Sequence, residues 1–229
     1  ETAPAAAKAN MFAKDDRRHT HKQVGVPGTV LGLAAAHRKF GKLKWRRLVE
    51  PAVKLAADGF AVDALLAESL NEILADSLDF AELQRVFGHS DKRPWKSGDR
   101  LVQSDLAETL ELIAKRRAAA FYDGPIAEKL VAEMTAGGGL ITREDLRAYR
   151  AKARRPVSAS FRGTTVIGPP PPSSGGIVLA EMLNVLERFP LKKHGRFSPQ
   201  MLHLIIETMK RAYRDRAREL RARIRRMES

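Results

Sequence analysis

Apolar side chains recur every three to four positions along most of the chain, the spacing of helices that bury one face. Between Thr29 and Phe40, Val30, Leu33, Ala34 and His37 share such a face. The breaker cluster Gly25-Val26-Pro27-Gly28 precedes it and Gly41 follows it as a stop. Trp45 to Ala57 predicts a second helix, with Pro51 early in it and Asp58-Gly59 ending it. Ala61 to Phe87 reads as one long helical region striped by Leu65, Leu66, Leu70, Ile73, Leu74 and Leu78, and His89 to Gly98 as a polar connection. Ser104 stands as N-cap of a helix ending near Arg117. Gly124-Pro125 opens a helix from Ile126 to Met134, closed by Gly137-Gly138-Gly139, and Thr142 to Asp145 is a cap-like start for a short helix ending near Tyr149.

One stretch alternates differently. Val157, Phe161, Thr164, Val166 and Ile167 are β-branched or aromatic, and Gly163 between them predicts a turn joining two short strands. A Gly168-Pro-Pro-Pro-Pro-Ser-Ser-Gly-Gly176 run then leads into a helix from Ile177 to about Glu187. Ser198-Pro199 starts a last helix from Gln200 into a basic tail, and Lys14 to Lys22 is polar enough to be a solvated loop. The fold class expected is mostly α with minor β.

Composition narrows the chemistry. The 229 residues carry 41 Lys+Arg against 27 Asp+Glu, a formal net charge of +14, and the 44% hydrophobic share is ordinary for a folded protein. There is no cysteine, which excludes disulfides, a thiolate nucleophile, cysteine-ligated zinc and iron–sulfur clusters. No apolar run approaches the roughly 20 residues of a membrane span. Glu1 is followed by no signal-peptide pattern, so the sequence is read as a piece of something longer.

No local motif announces catalysis. From Lys210 to Ser229, nine Lys/Arg stand against three Asp/Glu. Arg211, Arg214, Arg218, Arg221 and Arg225 on neighbouring turns could follow phosphates. Tyr213 is the sole aromatic there, which leaves no stacking platform, so a solvated tail is the preferred reading over nucleic-acid binding. His19 and His21 stand two apart without a third ligand nearby in sequence, so no metal site is expected. Ser173-Ser174 has no assigned base, and a rigid turn is the simpler reading. Gly137-Gly138-Gly139 lacks the Lys-Ser/Thr of a phosphate loop.

The order of the segments carries more than any one of them. Glu1-Thr-Ala-Pro-Ala-Ala-Ala with Met11-Phe12, Gly25-Val-Pro-Gly-Thr-Val30, Val49-Glu-Pro-Ala-Val-Lys-Leu-Ala56 and Asp58-Gly-Phe60 come first. Leu101-Val-Gln103, Phe121-Tyr122, Gly138-Gly-Leu-Ile-Thr142, Pro171-Pro-Ser-Ser-Gly-Gly176 and Ala212-Tyr213 with Asp215-Arg216 follow. The series resembles the large chain of γ-glutamyltransferases (γ-glutamyltranspeptidases) from residue 1 to about 220, and Arg221 to Ser229 looks out of family.

That resemblance implies an N-terminal-nucleophile hydrolase with an αββα parent fold. Such a precursor cuts itself into a large and a small chain. The new N-terminal threonine of the small chain, with its own α-amine as base, attacks the γ-glutamyl amide of glutathione. The γ-glutamyl group then passes to an amino acid, a peptide or water. The implied partners are the small catalytic chain in a heterodimer, glutathione and γ-glutamyl acceptors, with no metal or organic cofactor. Export to the periplasm or medium is implied as well.

No catalytic, substrate-binding, cofactor-binding or metal residue is carried over. The nucleophile belongs to the small chain, and the arginine for the substrate carboxylate would stand just before Glu1. Taken alone the chain is expected to be inactive, with packing faces partly exposed. Two departures stand out: Arg116-Arg117 occupies a usual glycine-containing turn, and Arg214 a usually small position. The alternatives are a cephalosporin- or glutaryl-type acylase of the same clan, and a non-catalytic anion or nucleic-acid binder using the tail.

Overall fold

The computed structural model describes residues 2–8, 10–12 and 20–228, with side chains described as far as 219. The expected loop at Lys14–Lys22 falls mostly outside these residues; its end overlaps a single 3-10 turn, His21–Gln23. The chain divides into two compact units. One holds Thr2–Ala6 and Arg17–Ala151; the other holds Lys152–Ser229 with Ala7–Asp16.

The first unit is helical. α1 (Thr29–Phe40) begins where the breaker cluster ends, and Gly28 at its N-cap has no side chain to offer. The cap is supplied from a distance. The Tyr122 hydroxyl accepts from the Leu31 N–H (3.4 Å) and donates to the Pro27 carbonyl (2.6 Å). A side chain at residue 28 would strike the Tyr149 ring. Gly41 ends α1 as expected but in extended backbone (φ −69°), not left-handed, and its N–H reaches the His37 carbonyl.

α2 (Trp45–Asp58) packs along α5 (Ser104–Arg116), and the Trp45 indole N–H donates to the Ile113 carbonyl across 2.9 Å. Gly59 then turns the chain at φ +69° into a two-residue strand β1 (Phe60–Ala61), paired antiparallel with β2 (Arg100–Leu101). The long helix expected over Ala61–Phe87 is broken in two: α3 (Ala64–Asp76) and α4 (Ala81–Phe87). Asp63 caps α3 late, its carboxylate accepting from the Leu66 N–H. At the break, the Gln84 amide donates to the carbonyls of Leu74 and Ser77, which an unbroken helix would have used itself.

Ser104 is inside α5 and makes no cap bond; Gln103 holds the cap position. A short helix α6 (Ala118–Tyr122), unanticipated from the pattern, follows Arg117, whose φ of 54° and ψ of −144° is glycine-type backbone. That conformation accounts for the resemblance's expectation of glycine in this turn. α7 (Pro125–Ala136) and α8 (Arg143–Ala148) complete the unit. α8 starts with a full capping box in which Thr142 accepts from the Asp145 N–H and the Asp145 carboxylate accepts from the Thr142 N–H. Three buried clusters result, centred on Ala127 and Leu146, on Trp45 and Ile113, and on Val62, Leu70 and Trp95. The connection expected to be polar thus contributes Trp95 to a core.

The second unit begins with the expected hairpin, β3 (Val157–Phe161) and β4 (Thr164–Gly168), paired antiparallel from Val157↔Gly168 to Phe161↔Thr164. Arg162 and Gly163 turn it, both at positive φ. α9 (Gly175–Leu186) lies against the hairpin, and α10 (Pro199–Glu228), started by a Ser198 hydroxyl that accepts from the Met201 N–H, packs on α9. The description that fits both units is mostly helical with few strands.

Candidate functional site

The proline run makes the base of the candidate site. The strand β4 ends at Gly168 and the helix α9 starts at Gly175, so the intervening prolines must leave the sheet and return within a few residues. Two glycines let the ends of this loop touch. A Cβ on Gly168 would lie 2.6 Å from Gly176 Cα, and one on Gly176 would collide with the Pro169 carbonyl. Within the loop the Ser173 N–H donates to the Pro170 carbonyl (3.2 Å) and the Ser173 hydroxyl accepts from the Gly175 N–H (3.3 Å).

This loop, the first turns of α9 and one face of α10 line a pocket of about 440 Å³. Pro171, Pro172, Ile177 and Val178 give it apolar walls; Ser174, Glu181, Asp215 and Arg216 give it polar groups. Arg216 reaches from α10 and donates through Nε to the Ser174 hydroxyl at 2.8 Å. Ser174 is therefore an acceptor pinned by a guanidinium. Among the described residues no histidine lines the pocket to serve as its base. The structure uses Ser173-Ser174 as the rigid turn that sequence reading preferred.

The second polar element is a carboxyl pair that the sequence reading missed. Burial pushes Glu181 above the ordinary glutamate range, and its hydrogen bond to Asp215 and that group's charge push it further, against the opposing charge of Arg214. Asp215 makes only long ion pairs along its own helix, to Arg218 at 3.8 Å and Arg214 at 3.9 Å. Glu181 of α9 and Asp215 of α10 thus meet carboxyl to carboxyl. The i, i+34 separation of two carboxylates on different helices leaves no mark in sequence.

The other groups weighed from sequence are placed differently. His21 bonds Glu133 through Nε2 at 2.8 Å, and its ring leaves no room for a side chain at Gly137, as the Met134 sulfur leaves none at Gly139. His19 is outside the described residues. Among the described residues no three His, Asp or Glu side chains converge as metal ligands, and no helix is long and apolar enough to cross a membrane. Of the tail arginines that could have followed phosphates, Arg214 and Arg218 flank Asp215; Arg221 and Arg225 lie beyond the described side chains.

Comparison with known proteins agrees with the order of landmarks. The family profile described as gamma-glutamyltranspeptidase matches residues 1–223. A glutathione hydrolase proenzyme of Escherichia coli is 42% identical over 227 residues, covering 96% of this chain and 39% of the relative. An acylase ACY 1 proenzyme of Pseudomonas is 37% identical, covering 94% of this chain and 41% of the relative. The crystal structure of Helicobacter pylori gamma-glutamyltranspeptidase superposes with a TM-score of 0.88 at 38% identity, over 95% of this chain and 64% of that one. The chain thus spans about two fifths of the length of the curated relatives it matches. With a profile match running nearly end to end and a solved fold of the same shape, this chain belongs to the gamma-glutamyltranspeptidase family.

Proposed function

We propose that this chain is large-chain scaffold of an enzyme that cleaves γ-glutamyl amides such as that of glutathione and passes the γ-glutamyl group to amino acids, peptides or water. The observation that carries the reading is the family match over residues 1–223, shared with a relative named as a glutathione hydrolase proenzyme. The word proenzyme in that name supports a parent cut into two chains, with the nucleophilic threonine opening the smaller one. On this reading no described side chain takes a covalent role. The Pro171–Gly176 loop and the Ser174–Arg216 bond fix the second unit's hairpin and helices as a platform.

An αββα parent is supported by β3–β4 carrying α9, one helical layer on one sheet. Residues 221–229 are read as an out-of-family tail, and export of the parent rests on the resemblance alone. A second reading, an acylase acting on glutaryl-type amides, is favoured by the acylase relative at 37% identity.

Native mass measurement of the protein from its own source, with γ-glutamyl and glutaryl anilides as substrates, separates these. A second polypeptide beginning with threonine and γ-glutamyl turnover is the expected result. Glutaryl turnover alone selects the acylase, and a lone 25.4 kDa species without turnover overturns both.

A further inference from the structure

The first unit carries an open groove of about 720 Å³ that the γ-glutamyl reading leaves unused. It lies between the C-terminal turns of α3, the start of α4 and the loop from His89 to Pro94. One side is apolar: Leu74, Ala75, Leu78 and Ala81. Leu78 is 75% exposed at the break between the two helices, where with Leu74, Ala75 and Ala81 it forms the groove's apolar side. The other side carries Arg85, Lys92 and Arg93, and no carboxylate lines the groove among the described residues.

The cations differ in how they are held. The Arg85 Nε and Nη2 donate to Glu82 at 2.7 Å, and Nη2 also reaches Asp105 at 2.5 Å, which fixes the guanidinium and leaves Nη1 unengaged. The Arg93 Nη groups are both taken by Asp99 at 2.6 and 2.7 Å. Lys92 sits at φ 55°, held in a turn by its N–H to the His89 carbonyl at 2.9 Å. Among the described residues its ammonium has no carboxylate within ion-pair distance.

We propose that this groove binds a small amphiphilic monocarboxylate, its aliphatic or aromatic body on Leu78 and its neighbours and its head group on Lys92 and Arg85 Nη1. The volume falls within the range of small-molecule sites, roughly 300–1,000 Å³. One free ammonium and one free guanidinium NH2 match a single carboxylate. The carboxylates of Glu82, Asp99 and Asp105 behind the arginines disfavour a more highly charged phosphate.

The test is a titration of the whole chain with sodium decanoate below its micellar concentration, followed by heteronuclear NMR and calorimetry. Acetate and decyltrimethylammonium serve as controls. Saturable shifts centred on Leu78, Ala81 and Lys92 are expected with decanoate alone. Lys92→Gln weakens binding about fivefold, the value of one exposed charge contact. Leu78→Asp abolishes it, and because Leu78 is exposed the helical circular dichroism stays unchanged. The proposal is overturned if decanoate gives no saturable shifts there, if the cationic amphiphile binds the groove equally well, or if both variants bind like the parent sequence.

Discussion

The two units are built from similar ingredients and reach different ends. Among the described residues, 20–151 close three buried clusters, and even where Phe40 and Leu65 face solvent, the opposite faces of α1 and α3 are buried at Ala34 and at Ala67 and Leu70. Beyond Lys152 the buried apolar residues among those described are Leu186 and Ala212, while Ile167, Phe197 and Ile206 are 69%, 76% and 53% exposed. The electrostatics diverge in parallel. Arg85, Arg93 and Arg147 hold Glu82, Asp99 and Asp123 below the usual carboxylate range. Glu181 and Asp215 instead face each other and raise Glu181. An amphipathic pattern states which face wants covering; only the presence of a partner decides whether it is covered.

The contrast breaks most visibly under truncation. Leu146 is fully buried. Leu146→Ala should cost about 2–5 kcal/mol, whereas Ile167→Ala should stay within about 0.5 kcal/mol. Both tryptophans, Trp45 and Trp95, lie in the first unit, so tryptophan emission during urea unfolding of the whole chain reports the first loss directly. Hydrogen exchange at α9 checks the second. Equal losses would mean that the second unit is as well packed as the first.

Backbone exchanges of opposite sense should come next. Arg117→Gly relieves a glycine-type conformation in the first unit and should stabilise it by about 1 kcal/mol. Gly176→Ala forces a methyl into the Pro169 carbonyl and should destabilise the proline loop by roughly 1–3 kcal/mol, read as faster amide exchange through Ser173–Val178. A neutral Gly176→Ala would show that the loop ends are free to part.

The smallest effect is in pH. Because Glu181 is raised, the folded second unit binds its proton more tightly than the unfolded chain. The stability this contributes is present below the ordinary glutamate value, about 4.3, and is lost as pH rises through the raised one. Glu181→Gln should remove that slope from exchange at α9, once corrected for intrinsic rates. Asp99 behaves oppositely: held low first by Arg93 and then by the Lys96 N–H, it contributes above about pH 3.9 and loses its contribution as pH falls toward its folded value. Asp99→Asn should flatten only the acid limb of the tryptophan-detected curve.

Much of the fold was legible where a residue acts on its neighbours. Gly28 and Phe40 bound α1 as expected, Thr142 and Asp145 form the capping box, and Gly163 turns the hairpin. What escaped is long-range. The break at Ser77–Phe80 depends on Gln84 reaching back to Leu74, and Ser104 lost its capping role to Gln103, whose N–H bonds the Ala56 carbonyl. The candidate site shows the same division. The glycines and serines of the loop were visible as a turn, but the Arg216 that pins Ser174 lies 42 residues away.

The Tyr122 hydroxyl at the start of α1 gives this distance a time. It serves groups 91 and 95 residues upstream. A ribosome adding roughly 5–20 residues per second delivers Leu31 on the order of 5–20 s before Tyr122. For that interval α1 has no phenol at its open end and only glycine at its cap. α1 is therefore finished only after α2 to α5 have been made, and a nascent chain halted between the two residues would present it frayed.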